Sequence, residues 1–297
     1  MKIIKVKGNT FCIDTGMTYI PFYKVNDEEI ILLDSGWAQG EREGIDSLLE
    51  KNKFKVVGII CSHIHIDHIG NVSYFKKKYN CKIAMPAYEA LICSSLINLK
   101  VYYGKQTLSE VKQHFGHMVF ETDLMILEDQ ESINMCGIEF EILHTPGHSP
   151  AHICVTTPDD VAYVADALIS YEVMKGAKMP YAFILKEDLE SKEKLYDLKS
   201  SKYIVAHKGM YDEITKLIGD NIDFYKGIAE SVYDVIDGAM TMEDIMKFVI
   251  KNWNIGVKSI YKYAVVEKML KSYVEYLNET GRIKLIMDNG FLKYIKE

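Results

Sequence analysis

The sequence predicts an α/β sandwich followed by a smaller helical unit, and three observations support this prediction. Short apolar, β-branched runs such as Val56–Ile60 alternate with amphipathic segments such as Glu41–Lys51 over most of the chain. Near residue 220 this pattern gives way to long helical segments and a hairpin pattern around an Asn-Gly turn. A hydrophobic fraction of 48% in 297 residues suffices for a substantial core. We therefore predict two domains, residues 1–219 and residues 220–297.

The first half of the chain is predicted to begin with strands and to continue with alternating helices and strands. Apolar alternation or β-branched runs predict the strands Lys2–Ile13, Met17–Tyr23, Glu29–Leu33, Val56–Ile60 and Cys81–Met85. An apolar stripe predicts the helices Glu41–Lys51 and Asn71–Tyr79. Residues 86–131 depart from this pattern, because Ala87–Leu99 and Leu108–Phe115 both have helical character. We interpret them as a helical insertion placed to cover a functional site.

The second half resumes the strand pattern before it becomes helical. Its predicted strands are Ser132–Met135, Ile138–His144, Ala151–Thr156, Val161–Val164 and Tyr203–Ala206. Glu187–Leu198 and the segment from Tyr211 onward are predicted to be helical. In the last domain, Met242–Lys251 and Lys258–Asn278 are predicted helices that precede the hairpin. Helices followed by a small hairpin resemble a winged-helix unit, which is what we expect for residues 220–297.

Composition argues against several classes of protein. A net charge of -7 and a pI of about 5.8 disfavour a general nucleic-acid binder, whose domain is usually strongly basic. The N-terminal segment lacks the apolar core of a signal peptide, and no stretch has the length of a membrane span. The six cysteines form no C-x-x-C pair, which is typical of reduced thiols. We expect a cytoplasmic protein without a membrane partner.

A cluster of ionisable side chains follows the predicted strand Val56–Ile60. Three of the nine histidines, His63, His65 and His68, fall within six positions together with Asp67. In an extended chain, His63 and His65 would point to one side, and Ile64 and Ile66 would point into the core. Imidazole and carboxylate groups bind Zn²⁺ well. The cluster therefore predicts a metal site, and the competing interpretation is a solvated turn that holds histidines by chance.

The motif His63-x-His65-x-Asp67-His68 resembles the signature of the metallo-β-lactamase superfamily. Four further segments resemble motifs of that family in the same order, namely Ile31–Gly36, Leu143–Ser149, Tyr163–Leu168 and Val205–Gly209. The resemblance covers about residues 1–215 and implies a four-layer αββα sandwich. The sequence departs from the family pattern at Ser62, Asn71, Ala206 and Lys208, none of which is a ligand position.

The resemblance implies two metal ions per chain. His63, His65 and His148 would hold the first ion, Asp67, His68 and His207 the second, and Asp166 would bridge them. Taken one at a time, these residues could have structural roles in place of metal binding, since Asp166 could cap a helix and His207 could lie on the surface. Asp34 is expected to fix a metal-bound histidine by hydrogen bonding. We expect Zn²⁺, although iron and manganese suit the same ligands.

The resemblance also implies a hydrolase. A metal-bridging hydroxide, oriented by Asp67 as the catalytic residue, would attack a small ester, thioester, lactone or phosphoester. Asp166 stands where antibiotic-hydrolysing members use a cysteine, and His65 stands where electron-transfer di-iron members commonly have a glutamate. Tyr181 is considered as a substrate contact, but a core or surface tyrosine is favoured. The substrate is expected to be a small molecule whose identity the sequence does not reveal.

Three alternative functions remain open. A ribonuclease would grip RNA with the C-terminal domain, where residues 247–284 hold eight Lys and Arg against three Glu. The acidic stretch 220–246 and the negative net charge disfavour nucleic acid as a partner. Another alternative is a mononuclear iron oxygenase, such as the persulfide-oxidising branch of the resembled family. A regulator would use the C-terminal unit as an interaction or dimerisation module, and a homodimer is compatible with each function.

Overall fold

Two β-sheets and the helices outside them form the main body of the molecule. The computed structural model describes residues 1–297 and contains fifteen strands and eleven α-helices. The strands are β1 (Lys2–Lys7), β2 (Thr10–Asp14), β3 (Tyr19–Lys24), β4 (Glu29–Leu33), β5 (Lys55–Ile60), β6 (Lys82–Pro86), β7 (Leu124–Ile126), β8 (Ser132–Met135), β9 (Ile138–His144), β10 (Ile153–Thr157), β11 (Val161–Ala165), β12 (Lys202–Val205), β13 (Gly209–Tyr211), β14 (Ile283–Asp288) and β15 (Phe291–Lys296). The helices are α1 (Arg42–Lys51), α2 (Ile66–Ile69), α3 (Val72–Tyr79), α4 (Ala87–Cys93), α5 (Leu96–Tyr103), α6 (Leu108–Phe115), α7 (Tyr171–Gly176), α8 (Leu185–Lys194), α9 (Thr215–Val235), α10 (Met242–Asn252) and α11 (Ile260–Glu279).

The two large sheets pack face to face. The first sheet runs from β1 to β7 in chain order, and the second has the order β13-β12-β11-β10-β9-β8. A buried apolar cluster between them includes Ile31 and Ile60 from the first sheet and Phe140 and Val155 from the second. Two other clusters join the outer face of each sheet to helices. This arrangement confirms the predicted four-layer αββα sandwich.

The strand directions bring several loops to one edge of the sandwich. Strands β4 and β5 are parallel in the first sheet, and β11 and β12 are parallel in the second. Asp34 and Ser62 follow the ends of β4 and β5, while Asp166 and His207 follow β11 and β12. Because parallel strands end at the same edge, these side chains are brought close together although they are far apart in the sequence.

Several element boundaries differ from the sequence predictions. The predicted strand Lys2–Ile13 is a hairpin of β1 and β2, because Gly8 adopts a left-handed φ of 52° between them. The predicted helix Ala87–Leu99 is divided into α4 and α5, since the Ser95 side chain accepts a hydrogen bond from the Asn98 amide and starts a new helix. The three-residue strands β7 and β13 were too short to predict from a pattern.

The C-terminal part consists of helices and a hairpin that pack against the second sheet. Helix α9 crosses the predicted boundary between residues 219 and 220 without interruption. Its buried Tyr225 belongs to the same apolar cluster as Val205 of β12 and Leu270 of α11. Strands β14 and β15 form the hairpin as a separate two-stranded sheet, and Met240 pairs with Tyr294 of β15 through two backbone hydrogen bonds. The division into two domains and the winged-helix resemblance stay predictions.

The α-helices range from 4 residues in α2 to 21 residues in α9. None of them combines the length and the apolar character that crossing a bilayer requires.

Candidate metal centre

The loop after β5 and the short helix α2 supply the first four predicted ligands. His63 and His65 precede α2, whereas Asp67 and His68 lie in it. Ile64 is fully buried in the core, as the alternating pattern predicts. Ile66, the first residue of α2, is half-buried: it packs against the core cluster of the first sheet and also borders a cavity beside His65 and Asp67. The period-two interpretation therefore holds fully for Ile64 and in part for Ile66.

Three histidine nitrogens meet in the first group of candidate ligands. His63 Nε2 lies 2.9 Å from His65 Nδ1, and His148 Nε2 lies 3.0 Å from the same atom. Ligand nitrogens around one tetrahedral zinc ion lie roughly 3.3 Å apart, given Zn–N distances of about 2.0–2.1 Å. The three imidazoles therefore converge at the spacing that a shared ion requires.

A second group lies beside the first. His207 Nε2 is 3.3 Å from Asp67 Oδ2, and His68 Nε2 is 3.8 Å from the same oxygen. The side chain of Asp67 is 30% exposed and borders the cavity, while His68 is almost completely buried. These three groups offer one carboxylate oxygen and two imidazole nitrogens, which suits zinc, iron or manganese.

Asp166 lies between the two groups. Its Oδ2 atom is 3.3 Å from His148 Nε2 and 3.9 Å from His63 Nε2 on one side. On the other side it is 3.4 Å from both His68 Nε2 and His207 Nε2. The second oxygen, Oδ1, and the Nε2 atom of His68 are buried without a hydrogen-bond partner in the protein. Unpartnered buried ligand atoms of this kind fit a pair of cations better than a structural hydrogen-bond network.

The local charges favour ligands that are ready to bind cations. Burial, together with the neighbouring histidines, holds the pKa of His63 well below its usual value, so the ring stays neutral. Burial alone would raise the pKa of Asp166, but His207 and His68 hold it well below the usual range. Asp166 in turn raises the pKa of His207 to about 10. Divalent cations would take the place of protons on such histidines.

Asp34 holds His68 in position. The Asp34 Oδ2 atom is 2.8 Å from His68 Nδ1 and accepts hydrogen bonds from the Tyr163 and Ser62 hydroxyls, both at 2.7 Å. The backbone amide of Ser62 donates to Oδ1 at 2.7 Å. A hydrogen bond at Nδ1 directs the Nε2 lone pair of His68 toward Asp166. This is the role that the sequence predicts for Asp34.

Glu89 is a supporting residue that sequence reasoning missed. It is completely buried, and its carboxylate accepts hydrogen bonds from the Ile64 amide at 3.0 Å, the Ala151 amide at 2.9 Å and the Ser149 hydroxyl at 2.5 Å. It thereby ties the loop of His63 and His65 to the loop of His148. No local signal marks it, because it is a lone glutamate on α4, far from both loops in sequence.

Two histidines outside the two groups, His144 and His152, have structural partners. His152 Nδ1 lies 2.8 Å from the Thr145 hydroxyl, and His152 Nε2 accepts a hydrogen bond from the Asp166 amide at 3.3 Å. His144 Nε2 donates to the Gln130 carbonyl oxygen at 3.0 Å. These hydrogen bonds give both residues a structural role.

A cavity of about 280 Å³ opens over the two groups. His65, Asp67, His148 and Asp166 lie at its base. Its walls come from three parts of the chain: Tyr102 of α5 in the helical insertion, Tyr181 before α8, and one face of α11. The Tyr181 ring lies 4.9 Å from that of His65, so this tyrosine borders the site, contrary to the favoured core or surface interpretation. The insertion covers the site, as its position in the sequence predicts.

Comparison with known proteins decides the family. The sequence profile of the metallo-beta-lactamase superfamily matches residues 13–207, which is more than half of the chain. The chain belongs to the metallo-beta-lactamase superfamily. The matched region contains all seven candidate ligands, from His63 to His207.

Several curated proteins match parts of the chain. An uncharacterized protein from Aquifex aeolicus is 28% identical over 188 residues, which are 63% of this chain and 81% of that protein. A hydroxyacylglutathione hydrolase from Rhodopseudomonas palustris (strain BisB5) is 30% identical over 123 residues, or 41% of this chain and 38% of that enzyme. A probable metallo-hydrolase from Bacillus subtilis is 23% identical over 155 residues, 52% and 64% of the two chains. The chain thus matches less than two thirds of the two relatives named as hydrolases.

Solved structures share the fold over nearly the whole chain. A metallo-beta-lactamase family protein from Thermus thermophilus has a TM-score of 0.70 at 17% identity, covering 94% of both chains. A beta-lactamase domain protein from Burkholderia ambifaria also has a TM-score of 0.70, at 12% identity, covering 100% of this chain and 95% of that one. At such low identity these likenesses show the fold alone.

Proposed function

We propose that this member of the metallo-beta-lactamase superfamily is a dinuclear metal-dependent hydrolase of small esters, with thioesters as its first substrate candidates. The observation that carries the proposal is the position of Asp166 Oδ2, within 3.3–3.9 Å of histidine nitrogens from both ligand groups. A single structural site would need about four donors, whereas this centre offers seven.

Each group of side chains would hold one ion. His63, His65 and His148 form the first set, and Asp67, His68 and His207 form the second. Asp166 has two oxygens and one negative charge, which suits a position shared between two cations. Bound divalent ions would lower the pKa of water toward neutrality and polarise a carbonyl oxygen. Zinc is the proposed metal, and iron or manganese is compatible with the same donors.

The protein side chains around the cavity have their own tasks. Asp67 borders the cavity, so its carboxylate is placed to accept a hydrogen bond from the attacking water and orient it. The Tyr181 ring packs edge-on against His65 and His148, at 4.9 Å and 5.5 Å between ring centroids. This wall fixes the imidazoles and excludes bulk water from one side of the site. Asp34 and Glu89 act indirectly, by fixing His68 and the two ligand loops.

Thioesters are favoured among the candidate substrates because of the relatives. Hydroxyacylglutathione hydrolases match the chain at 24–30% identity over 123 to 147 residues. The matched share of those enzymes is 38–63%, which is less than two thirds, so their specificity is not transferred to this chain. Lactones, oxygen esters and phosphoesters stay within the proposed range. The ribonuclease and iron-oxygenase alternatives, and a homodimer, have no observation in the structure that favours them.

Metal analysis and one substitution test the proposal. We expect about two divalent ions per purified chain, together with hydrolysis of thioester or ester substrates. D166N should lower kcat/KM at least 100-fold and reduce the metal content, since the variant lacks the charge shared by both groups. H144Q is the matched control, because His144 bonds to the Gln130 carbonyl and lies outside both ligand groups. Full activity in D166N, or one iron per chain with oxygen uptake, would refute the assignment.

A further inference from the structure

Helix α11 contributes one face to the cavity above the candidate metal centre. Tyr261, Val265 and Lys268 line this cavity at intervals of four and three residues, which places them on one face of the helix. The first two present aromatic and aliphatic surface. Lys268 is thus the lysine of α11 whose side chain borders the space that holds Asp67 and Asp166.

The ammonium group of Lys268 lies among aromatic rings. Its Nζ atom is 3.7 Å from the Tyr102 ring centroid and 4.9 Å from that of Phe183. Burial among these groups lowers its pKa from 10.5 to about 8. The group is therefore still mostly protonated at pH 7, and it carries its positive charge in a partly desolvated place.

Lys268 lacks the partner that its neighbours have. Glu267 forms an ion pair with Lys105, and Lys271 pairs with Glu275 at 3.3 Å. No carboxylate lies within 4.0 Å of the Lys268 Nζ atom. Glu89 is the acid that most affects its pKa, but the Glu89 oxygens are already engaged by Ile64, Ser149 and Ala151. A partly buried charge without a counter-ion costs free energy, unless a ligand supplies the opposite charge.

We propose that Lys268 binds a compact anionic group, a carboxylate or a phosphate, on the substrate. The apolar part of the substrate would lie along Tyr102, Tyr261 and Val265, while its ester or thioester group faces Asp67 and Asp166. This inference rests on the proposed hydrolase function and narrows its substrate class to anionic acyl compounds. Lys268 is a specificity residue in this account, because it touches the substrate away from the reacting bond.

The competing explanation is that Lys268 only packs against Tyr102. A purely structural cation–π contact contributes about 0.5–2 kcal/mol and predicts no preference for charged ligands. A charge-assisted contact to an anion predicts a preference of about 10-fold or more over a neutral compound of the same shape. Binding measurements therefore separate the two explanations without any catalytic turnover.

Isothermal titration calorimetry of the purified, metal-loaded chain provides the test. The probes are phenylpropionate, phenylethyl phosphate and the neutral phenylpropanol, each titrated into the wild type and the variants K268M, K268Q and K271M. We expect the wild type and K271M to prefer at least one anion at least 10-fold over the alcohol. K268M and K268Q should lose that preference while they keep their metal content and still unfold in one cooperative thermal transition.

Two results would overturn the inference. One is a wild type that binds all three probes alike, and the other is a folded K268M or K268Q variant that keeps the anion preference. The second result would mean that the anion binds elsewhere, for instance at the metal ions. The comparison of phenylpropionate with phenylethyl phosphate separates carboxylate from phosphate recognition. An anion preference that depends on Lys268 without hydrolysis of any ester would sink the proposed function and leave this inference standing.

Discussion

At the scale of single residues, the centre depends on buried carboxylates that are not ligands. Asp34 orients His68, and Glu89 joins the loops that carry His63, His65 and His148. Both carboxylates are nearly inaccessible to solvent. Asp34 fixes the orientation of one imidazole ring and Glu89 fixes the positions of two ligand loops before any ion binds, which raises metal affinity by pre-organisation.

The substitution E89Q tests this role at one residue. Both Glu89 oxygens accept hydrogen bonds. In glutamine, an NH₂ group replaces one of these oxygens and cannot accept a hydrogen bond, so at least one donor is left unsatisfied. We expect the free energy of unfolding, measured by urea denaturation, to fall by about 1–3 kcal/mol. Metal affinity, measured by competition with a chelator, should fall as well. An E89Q variant with wild-type stability and metal affinity would contradict the positioning role.

At the scale of elements, the His148 loop is held by close contact with α8. The amides of Phe183 and Ile184 both donate to the Gly147 carbonyl oxygen, and the Ser191 hydroxyl donates to that of Pro146. Gly147 has a φ of 120°, and an added Cβ would lie 2.0 Å from the Asp188 amide nitrogen. Only glycine satisfies both conditions, so this residue sets the approach of the loop to the helix.

The substitution G147A should therefore displace His148. We expect a loss of stability of about 1–3 kcal/mol in thermal or urea unfolding, since the new methyl group overlaps backbone. Metal content should also decrease, because His148 moves away from His65. G227A in α9 is the matched control: an added Cβ there meets nothing within 4 Å, so stability should rise by about 0.5–1 kcal/mol. Equal effects of the two substitutions would show that Gly147 has no special constraint.

The sequence predicts the parts of this site that local patterns encode. Histidine and aspartate motifs at strand ends mark the ligands, and regular apolar periods mark most strands and helices. Glu89 and Lys268 escape prediction, because their partners lie on loops and helices that only the tertiary structure brings near. The assignment of Ile66 to the core is correct only in part, because α2 begins at this residue and its half-buried side chain contacts both the core and the cavity. Contacts between distant elements therefore account for most of what the sequence did not reveal.

At the scale of the whole molecule, the C-terminal helix and the helical insertion close the cavity together. Lys105 of the insertion pairs with Glu267 of α11, and the Phe115 ring lies 6.1 Å from the Tyr261 ring. The cavity walls thus come from segments that are more than 150 residues apart. Lys268 of α11 therefore borders the cavity from the C-terminal part of the chain, whereas all candidate ligands come from the sandwich.

The pH dependence of stability tests the unpaired state of Lys268. Its pKa is 10.5 in an unperturbed lysine and about 8 in the folded chain, so the unfolded state binds more protons between these values. The charged Lys268 therefore destabilises the folded chain at pH 7, and this destabilisation is lost as the pH rises from about 8 to 10.5. The side chains facing it do not interfere, since burial raises the pKa of Tyr102, Tyr181 and Tyr261, and burial also raises that of Glu89.

We expect K268M to be more stable than the wild type at pH 7, with the difference shrinking toward pH 10. Urea denaturation of both proteins at several pH values measures this difference, and other titrating groups cancel in it. K271M, which changes an exposed lysine of the same helix, should show no such trend. A difference between K268M and the wild type that stays constant from pH 7 to pH 10 would mean that Lys268 is not desolvated.

The central claim is that side chains from distant loops surround two cations with Asp166 between them. A crystal structure of zinc-loaded protein, with anomalous diffraction recorded at the zinc edge, tests it most directly. We expect two anomalous peaks about 3.5–4 Å apart, one bounded by His63, His65 and His148, the other by Asp67, His68 and His207. A single peak, or Asp166 turned away from both groups, would contradict it.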